Sequence, residues 1–524
     1  MSRTPPTFPS GPRTGRSRRI SCWCPIRTGA PSSRPAPSPG AARSPTTATT
    51  TTSPASPTTF SGPSLPASRC AGPTATPSTE VDDLSRDETA DVAVVGAGLA
   101  GLVAARDLRR AGLRPLVIEA RDRVGGRTWT RPAPGGAVEA GGQFIGPTQD
   151  RLAVLAGDLG VATFATYHAG RTRIDLAGGR LAYKRAKRLL ADLERMASEL
   201  PPEAPWAAAH AVEWDARPFD DWLRSSGEPD TFGVMRMVTA AVFAAEPAEL
   251  SLLHVLAYIR SAGSVDLLTE VAGGAQERRF VGGAQELSVR LAGALGPGDL
   301  RLGAPVRGVR QTPDGVEVLA EDLTVRARRA IVAVPPVLGG RIEYDPPPPA
   351  GRADLHRRMT PGSTIKINCL YGAPFWRDEG LSGGLMRDRG PVTVTFDNSP
   401  PDGAHGVLVA FSQGDDARAL ARLPAGARRA AVLEVLGRYF GERAARPSEY
   451  LETDWTGEPW TRGCFGGNFG PGGWTRYGPL LREPFDRVHW AGAETSAVWM
   501  NYMEGAVRSG ERAAAEVIAA LGTP

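Results

Sequence analysis

The sequence predicts an α/β fold of two or more domains, with a Rossmann-like strand–helix–strand unit at the start of its apolar part. The first observation is the segment DVAVVGAGLAGLVAARDLRRAGLRPLVIEA, in which apolar runs, glycine turns and an Ala/Leu-rich helix alternate. The second is the length, since 524 residues exceed what one small domain needs. No stretch approaches about 18 consecutive apolar residues, so we expect no transmembrane helix and no membrane anchor.

Residues 1–88 are predicted to form a disordered tail, or to result from a misassigned start codon. They consist mainly of Pro, Ser, Thr, Arg, Ala and Gly, as in PTTATTTTSPASPTT, and such a segment cannot bury enough apolar surface to fold. The pair Arg18-Arg19 is typical of twin-arginine export signals, but no apolar segment follows it. We therefore expect no export.

The basic charge of the chain belongs to this tail. Residues 1–79 contain nine arginines and no acidic residue, so within a total of +5 the remaining residues 80–524 carry −4. Nucleic-acid binding by the body of the protein therefore has no support. The odd number of scattered cysteines is no disulfide framework, which favours a reducing compartment and, by default, the cytoplasm. No histidine lies at zinc-ligand spacing from a cysteine, and we expect no metal.

The first motif is a dinucleotide fingerprint. A short apolar run from Val92 to Val95 meets Gly96, Gly98 and Gly101, and a second run from Pro115 to Ile118 ends at Glu119. In such a motif the first glycine permits the turn, the second lets a diphosphate approach the backbone, and the third allows close packing of helix on strand. Glu119 lies where an acid can hold a ribose hydroxyl. We predict a dinucleotide site here.

The next segment, ARDRVGGRTWT, bears on the choice between NAD and FAD. It adds a second glycine turn, Gly125-Gly126, and a cation, Arg127. A nicotinamide-binding unit has no need of this insert, whereas a cation beside a second diphosphate contact suits the longer FAD. On chemistry alone this segment favours FAD over NAD.

A family resemblance rests on several blocks that follow in order from about Asp91 to Ala520. The chain resembles the flavin amine oxidases, most closely the flavin-containing monoamine oxidases, in EARDRVGGRTWT, EAGGQFIGPTQDRL, GGAQERRFVGGAQEL, AIVAVPPVLGG, GSTIKINCLYGAPFWR, GCFGGNFGPG and AGAETSAVWMNYMEGAVRSGERAA. The resemblance implies a two-domain flavoprotein. Its Rossmann-like FAD-binding domain (89–163, 281–355 and 458–520) would interleave with a mixed-sheet and helical substrate domain (164–280 and 356–457).

The resemblance also implies the cofactor contacts. Positions matching FAD-binding residues of the family, or belonging to the fingerprint, are Gly96, Ala97, Gly98, Gly101, Glu119, Ala120, Arg121, Gly126, Arg127, Gly142, Gln143, Val306, Trp455, Cys464, Glu494, Thr495 and Met503. Those that align with the substrate cavity are Leu267, Leu268, Gln276 and Phe411. A helix that begins near Met503 would direct its N-terminus at the flavin edge where negative charge gathers on reduction.

Cys464 lies in a glycine-rich stretch. From its residue type alone, four roles remain open: a buried packing residue, a redox thiol, a metal ligand or a point of covalent attachment. It matches the family cysteine bonded to the flavin 8α-methyl group, and Trp455 lies nine residues before it as the family tryptophan does. The resemblance therefore implies covalent FAD. A free buried cysteine beside a noncovalent flavin is the alternative, because related bacterial oxidases often lack the bond.

Three positions match residues that act on the substrate or on oxygen. Phe465 and Tyr502 match the two rings of the family's aromatic cage, with Phe465 in place of the more usual tyrosine. Lys366 lies in STIKINCLY on the opposite strand face from Ile365 and Ile367. It matches the lysine that hydrogen-bonds through a water to flavin N5, which implies a role in the reaction of reduced flavin with oxygen.

The function that the resemblance implies is oxidation of primary aryl- or alkylamines. A neutral amine gives its α-hydrogen as hydride to flavin N5, the imine hydrolyses to aldehyde and ammonia, and oxygen is reduced to hydrogen peroxide. The blocks contain no histidine or paired carboxylate, which fits a reaction without a dedicated base. The alternatives are a putrescine or polyamine oxidase, an L-amino acid oxidase, or an inactive flavin-binding protein. Homodimers are common in the family, but no interface is located.

Overall fold

The structure, a computed structural model, describes residues 86–225 and 229–522. Residues 1–85 of the predicted tail lie outside the described residues, and they include Arg18, Arg19, Cys22, Cys24 and Cys70. Residues 86–88, which were predicted to belong to the same tail, instead begin the first strand. They pair with a strand distant in sequence, where Arg86 lies opposite Leu323. The ordered region therefore begins before residue 89.

The strands, in chain order, are β1 (Arg86–Val95), β2 (Pro115–Ile118), β3 (Thr130–Ala133), β4 (Gly136–Glu139), β5 (Phe144–Ile145), β6 (Thr163–Ala165), β7 (Arg171–Asp175), β8 (Arg278–Phe280), β9 (Leu300–Arg301), β10 (Gly308–Gln311), β11 (Val316–Ala320), β12 (Leu323–Val332), β13 (Glu343–Asp345), β14 (Met359–Gly362), β15 (Thr364–Tyr371), β16 (Leu381–Arg387), β17 (Val394–Asp397), β18 (Gly406–Gln413), β19 (Glu449–Asp454), β20 (Cys464–Phe469) and β21 (Val488–Trp490).

The helices are α1 (Leu99–Arg110), α2 (Asp150–Asp158), α3 (Gly179–Ser198), α4 (Ala211–Ala216), α5 (Phe219–Ser225), α6 (Phe232–Phe243), α7 (Leu252–Ala262), α8 (Val265–Thr269), α9 (Gln285–Gly293), α10 (Pro336–Gly339), α11 (Ala350–Arg358), α12 (Gly414–Ala421), α13 (Ala425–Phe440), α14 (Gly473–Tyr477) and α15 (Met503–Leu521). No helix among the described residues is both long enough and apolar enough to span a bilayer.

The first sheet carries the predicted Rossmann-like unit and confirms the α/β fold class. Its order is β13-β10-β11-β12-β1-β2-β9, with β21 beside the second half of β12. The central strand β1 runs parallel to both β12 and β2, and its apolar residues from Val92 to Val95 are buried. Continuous apolar runs are typical of parallel strands covered on both faces. Helices α1, α2, α9 and α15 contribute to the core on one face.

The second sheet has the order β19-β15-β18-β17-β16-β7 and is largely antiparallel. One face of β15 presents Ile365, Ile367 and Cys369 to a core that includes residues of α12 and α13. The alternate residues Lys366 and Asn368 are also buried, on the other face. This polar face turns towards the end of β4, because Asn368 Nδ2 donates to the carbonyl of Glu139.

A helical layer containing α3 to α8 forms the largest apolar cluster. Helix α6 is apolar on nearly all sides, as expected for a helix buried between neighbours. The first sheet draws its strands from the segments predicted for the FAD-binding domain, apart from residues 86–88. The second sheet draws its strands from those predicted for the substrate domain. The domain boundaries themselves stay a prediction.

Candidate active site

A cavity of about 540 Å³ lies between the glycine-rich end of the first sheet, the polar face of the second sheet and the helical layer. Most of the predicted site residues line it, namely Gly96, Gly98, Glu119, Ala120, Arg121, Gly126, Arg127, Gly142, Gln143, Leu268, Gln276, Val306, Lys366, Phe411, Trp455, Cys464, Phe465, Tyr502 and Met503. Those that do not line it are Ala97, Gly101, Leu267, Glu494 and Thr495. Its size is typical of pockets that hold small molecules.

The glycines of the fingerprint have three different physical roles. Gly96 has φ +103°, a conformation that residues with side chains rarely adopt. A Cβ on Gly101 would lie 2.0 Å from the Gly96 carbonyl oxygen, so this glycine permits the contact of α1 with the turn. A Cβ on Gly98 would meet no atom within 4 Å, because Gly98 borders the open cavity.

The N-terminus of α1 has the features of an anion site. Gly98 is its N-cap without a side-chain cap, and the first turn contains no acidic residue. The first N–H groups of such a helix have no intrahelical partner, and they attract the phosphates of a dinucleotide. This end of the cavity therefore fits a diphosphate.

Glu119 is buried at the end of β2, as the fingerprint requires. Its Oε2 accepts a hydrogen bond from Ala97 N at 2.8 Å and its Oε1 accepts one from Arg121 N at 3.0 Å. Ala97 therefore supports Glu119 from behind instead of lining the cavity. Arg121 pairs with Glu458, and its buried Nε has no partner within the described chain.

Arg127 joins two distant segments of the site. Its guanidinium donates to both carboxylate oxygens of Glu494, at 2.7 and 3.0 Å, and to the Phe465 carbonyl at 3.3 Å. Glu494 is 2% exposed and lines a separate small pocket. Thr495 lies outside both pockets, where its hydroxyl donates to the Gly492 carbonyl at 2.9 Å. These two residues thus support the site without lining the main cavity.

Lys366 is 3% exposed and borders the cavity from β15. Its Nζ donates to the Gly141 carbonyl at 2.7 Å and to Gln143 Oε1. Burial lowers the pKa of Lys366 from 10.5 to about 8, while the charge of Glu139 acts in the opposite direction. Burial also raises the pKa of Glu139, whose carboxylate accepts from Ala284 N and Thr130 Oγ1.

Cys464 and Phe465 open strand β20 at the cavity wall. Cys464 is a free, buried thiol, and burial raises its pKa. Phe465 has φ +66°, a left-handed conformation that is uncommon for a residue with a side chain and is found at strained functional positions. Trp455 also lines the cavity and is fully buried, and its Nε1 donates to the Ala140 carbonyl at 2.8 Å.

Tyr502 caps α15 and lies beside two other aromatic rings. Its ring centroid is 4.8 Å from that of Trp499 and 6.0 Å from that of Tyr258. Burial raises the pKa of Tyr502, so the phenol stays neutral, and it shares a hydrogen bond with Tyr258. Helix α15 has no side-chain N-cap, which leaves its first N–H groups at the cavity beside Met503.

The other end of the cavity is mainly apolar and aromatic. Sequence reasoning missed most of this lining, which includes Met237, Val238, Ala241, Tyr258, Leu385, Met386, Val394 and Phe396. Residues 237, 238 and 241 share one face of α6. Their apolar spacing in the sequence is the same for a helix face that lines a cavity and for one that packs in the core. Of the adjacent leucines predicted on α8, only Leu268 lines the cavity, while Leu267 packs against the helical core.

The carboxylates that line the cavity are Glu119 and Asp397, and both are occupied by protein donors. Asp397 accepts from Trp376 Nε1 at 2.8 Å, from Arg377 at 2.7 and 3.0 Å, and from Ser399 N at 2.9 Å. No cluster of His, Cys, Asp or Glu within the described ranges could hold a metal ion.

The residues present fit a flavin dinucleotide. The glycine turn, the uncapped helix α1 and Glu119 suit the adenosine and diphosphate, and the far wall has Lys366, Cys464 and the end of α15. Buried polar atoms of lining residues also have no partner within the described segments, among them Gln276 Oε1, Thr364 Oγ1 and Asn501 Oδ1. Such atoms are costly when buried alone, so a bound polar molecule would satisfy them.

Comparison with known proteins gives concordant matches. The sequence model described as flavin-containing amine oxidoreductase matches residues 99–518. A Mycobacterium tuberculosis protein named as a flavin-containing monoamine oxidase, AofH, is 40% identical over 446 residues, covering 83% of this chain and 97% of that protein. The structure of wild-type putrescine oxidase bound to putrescine superposes with a TM-score of 0.79 at 37% identity, over 83% of this chain and 100% of that chain. The structure of cyclohexylamine oxidase from Brevibacterium oxydans superposes with a TM-score of 0.79 at 32% identity, over 83% of this chain and 99% of that chain.

Proposed function

The chain belongs to the family of flavin-containing amine oxidoreductases and is an amine oxidase, and on that premise we propose that its substrates are primary aryl- and alkylamines. The products would be an aldehyde, ammonia and hydrogen peroxide. The observation that carries the substrate class is the apolar and aromatic end of the cavity, which offers no unoccupied carboxylate among its described lining residues.

A diamine is the second candidate, because putrescine oxidase is similar to this chain. The distal ammonium of a diamine would need an anion at the far end of the cavity. Apart from Glu119 of the dinucleotide fingerprint, Asp397 is the carboxylate among the described lining residues. Since Arg377 pairs with Asp397 through two hydrogen bonds, that charge is already neutralised. An L-amino acid would need a cation at that end of the cavity to hold its carboxylate. The described lining arginines are Arg121, Arg127, Arg307 and Arg341, and all four belong to the segments predicted for the FAD-binding domain.

The chain's own residues would bind and orient the amine. FAD, when bound, accepts the two electrons and the hydrogen of the amine and passes the electrons to oxygen. Phe465 and Tyr502 offer ring faces that guide a neutral or developing cationic nitrogen. The neutral Tyr502 keeps negative charge away from the oxidation site. Lys366 holds N–H donors at the cavity wall and assists the reaction with oxygen.

The substrate proposal is tested by mixing the purified protein anaerobically with benzylamine, tyramine, putrescine, spermidine and L-phenylalanine, one at a time. We expect the aryl amines to bleach the flavin absorbance rapidly and the others to act slowly. Rapid bleaching by putrescine or L-phenylalanine alone would replace the substrate class and keep the family. A bound flavin that no amine reduces would indicate an inactive flavin-binding protein.

We also propose that Cys464 is bonded to the flavin. Cys464 is a free thiol at the cavity wall, and it matches the attachment cysteine of the resembling family. Acid precipitation should give a yellow pellet, and Cys464→Ser should release the colour into the supernatant. Cys369→Ser is the matched control, because Cys369 is also a buried free cysteine but faces away from the cavity. A colourless wild-type pellet would contradict the bond.

A cytoplasmic location and a homodimer complete the proposal. The cysteine pattern of the sequence supports a reducing compartment. Cell fractionation and light scattering of the purified protein test these two points directly. Activity confined to an exported fraction would contradict the location, and a monomeric mass would contradict the dimer.

A further inference from the structure

Lys366 lies at the end of a buried chain of polar side chains that the proposed function does not use. Gln143 and Asn398 are 2% and 6% exposed, and Arg279 is 5% exposed. They come from the loop after β4, the residue after β17 and strand β8. These three segments are distant in sequence and meet beside the polar face of the second sheet.

The donors and acceptors of this chain have a fixed order that starts at Arg279. A guanidinium can only donate, so the atom of Asn398 that faces Arg279 Nη1 at 2.7 Å is the carbonyl oxygen Oδ1. Arg279 also donates to the Asn398 carbonyl at 2.8 Å and to the Ser399 carbonyl at 2.5 Å. These bonds hold the Asn398 side chain in one orientation.

The orientation passes from Asn398 to Gln143. Because Asn398 Oδ1 is an acceptor, the Gln143 atom 2.7 Å from it is the donor Nε2. The other end of the same amide, Oε1, then faces the ammonium of Lys366. If the amide rotated by half a turn, its NH₂ group would face the NH₃⁺ group, and the hydrogen bond would be lost.

Two of the three N–H groups of Lys366 are therefore used, by Gly141 and Gln143, and within the described residues the third has no acceptor. We propose that Arg279 and Asn398 are positioning residues for Lys366, acting through the Gln143 amide so that one N–H of Lys366 stays available to the cavity. This inference rests on the proposed role of Lys366 in the reaction with oxygen.

The charged groups around Lys366 define what a titration would report. Glu139 from β4 favours the ammonium form, whereas Arg279 from β8 and burial disfavour it. Cys464 from β20 also faces Lys366, but it is neutral both as a buried thiol and as the proposed thioether to the flavin. The Gln143 carbonyl is a neutral acceptor that also favours the ammonium form. Removing or turning this acceptor should lower the pKa of Lys366 further, while the charge of Glu139 stays in place.

The test uses the holoenzyme and two readouts. The first is the pH midpoint for acetylation of Lys366 by acetic anhydride, read by mass spectrometry. The second is the rate at which oxygen reoxidises enzyme that has been reduced with dithionite. We expect Gln143→Leu and Asn398→Ala each to lower the midpoint by about one pH unit and to slow reoxidation about tenfold at pH 8, as for a lost hydrogen bond to a charged group.

The double variant Gln143→Leu with Asn398→Ala shows whether Asn398 acts on Lys366 through Gln143 or independently of it. If Asn398 acts through Gln143, the double variant should shift no further than Gln143→Leu alone. Asn398→Asp keeps an acceptor oxygen for Arg279 and Gln143, so its midpoint should not fall below the wild-type value. Should Asn398→Ala not fold, Asn398→Ser tests the same contact, because its hydroxyl is too short to reach Gln143.

Thr453→Val is the matched control. Thr453 is buried opposite Lys366 on the neighbouring strand β19, and it takes no part in the hydrogen bonds that join Arg279, Asn398, Gln143 and Lys366. The substitution keeps the side-chain shape and should leave both readouts unchanged. Wild-type values in Asn398→Ala, additive shifts in the double variant, or an equal shift in Thr453→Val would each overturn the proposal. Neither readout depends on an amine, so a protein that no amine reduces would refute the proposed function and leave this test valid.

Discussion

At the residue scale, neighbouring glycines of one motif do different work, and the structure separates them. Gly98 has φ −71° and ψ 173°, which any residue can adopt, and a Cβ there would point into open cavity space. Gly101 has no such freedom, since its Cβ would fall 2.0 Å from the Gly96 carbonyl oxygen. We therefore infer that Gly98 serves the ligand, whereas Gly101 serves the packing of the fold.

We expect Gly98→Ala to weaken FAD binding at least about tenfold while the free energy of unfolding stays within about 0.5 kcal/mol of wild type. The methyl group would occupy space that the diphosphate needs. Gly101→Ala should instead cost more than about 2 kcal/mol of stability, because the helix must move away from the turn. Both are measured by FAD titration and urea unfolding in a Cys464→Ser background, where the flavin can be removed. Equal loss of stability in the two variants would contradict this division.

At the scale of elements, the site is held together by contacts between segments that are distant in sequence. Arg127, in the glycine turn after β2, pairs with Glu494, which precedes α15. Glu494 is 2% exposed and its partner side chain 24% exposed, so the pair is mostly removed from water. Removing one member of such a pair leaves a buried charge without its partner.

Glu494→Gln should therefore destabilise the protein by about 2 kcal/mol and lower its flavin content, because the Arg127 guanidinium loses its counter-charge. The double variant Arg127→Met with Glu494→Met should lose less stability than Glu494→Gln alone. Urea unfolding of the purified variants measures both values. Asp87→Asn removes the exposed Arg326 ion pair and serves as the control, with an unchanged unfolding midpoint. A Glu494→Gln variant as stable as this control would refute the structural role.

The elements that the sequence predicted well are those encoded by short-range spacing. Strand, turn and helix from Val92 to Arg110 and the strand up to Ile118 follow from local apolar runs and glycines. The start of β1 at Arg86 could not be predicted, because it depends on pairing with β12 more than 200 residues later. The same holds for the relay of Gln143, Asn398 and Arg279, whose order of donors and acceptors exists only once three segments meet.

The substrate end of the cavity was poorly predicted for a different reason. A helix face that lines a cavity and one that lines a core have the same apolar periodicity. Met237 and Val238 therefore resemble ordinary core residues in the sequence. The aligned leucines show the limit of motif transfer, since Leu268 lines the cavity and its neighbour Leu267 does not. A shift of one helical position rotates a side chain by about 100°.

At the scale of the whole molecule, two buried histidines couple folding to pH. His254 joins the helical layer to β20, since its Nδ1 accepts from Trp474 Nε1 at 3.1 Å and its Nε2 lies 3.1 Å from Asn468 Oδ1. An indole N–H can only donate, so His254 is neutral with its proton on Nε2. Burial lowers the pKa of His254 to about 4 and that of His356 to about 3.

These shifts predict a loss of stability in acid. Both histidines prefer the neutral form when folded, whereas in the unfolded chain they bind protons below about pH 6.5. Stability from these groups is therefore complete above about pH 7 and falls as the pH drops from about 6.5 to about 4 for His254, and further for His356. For His254 the loss is on the order of 3 kcal/mol by pH 4.

Urea unfolding at pH 7.5, 5.5 and 4.5 should show a shallower decline in the free energy of unfolding for His254→Gln than for wild type. His210→Gln makes the same change at an exposed position and should retain the wild-type slope. If His254→Gln declined as steeply as wild type, acid sensitivity would have to arise from other groups, with His356 the first to be tested in the same way.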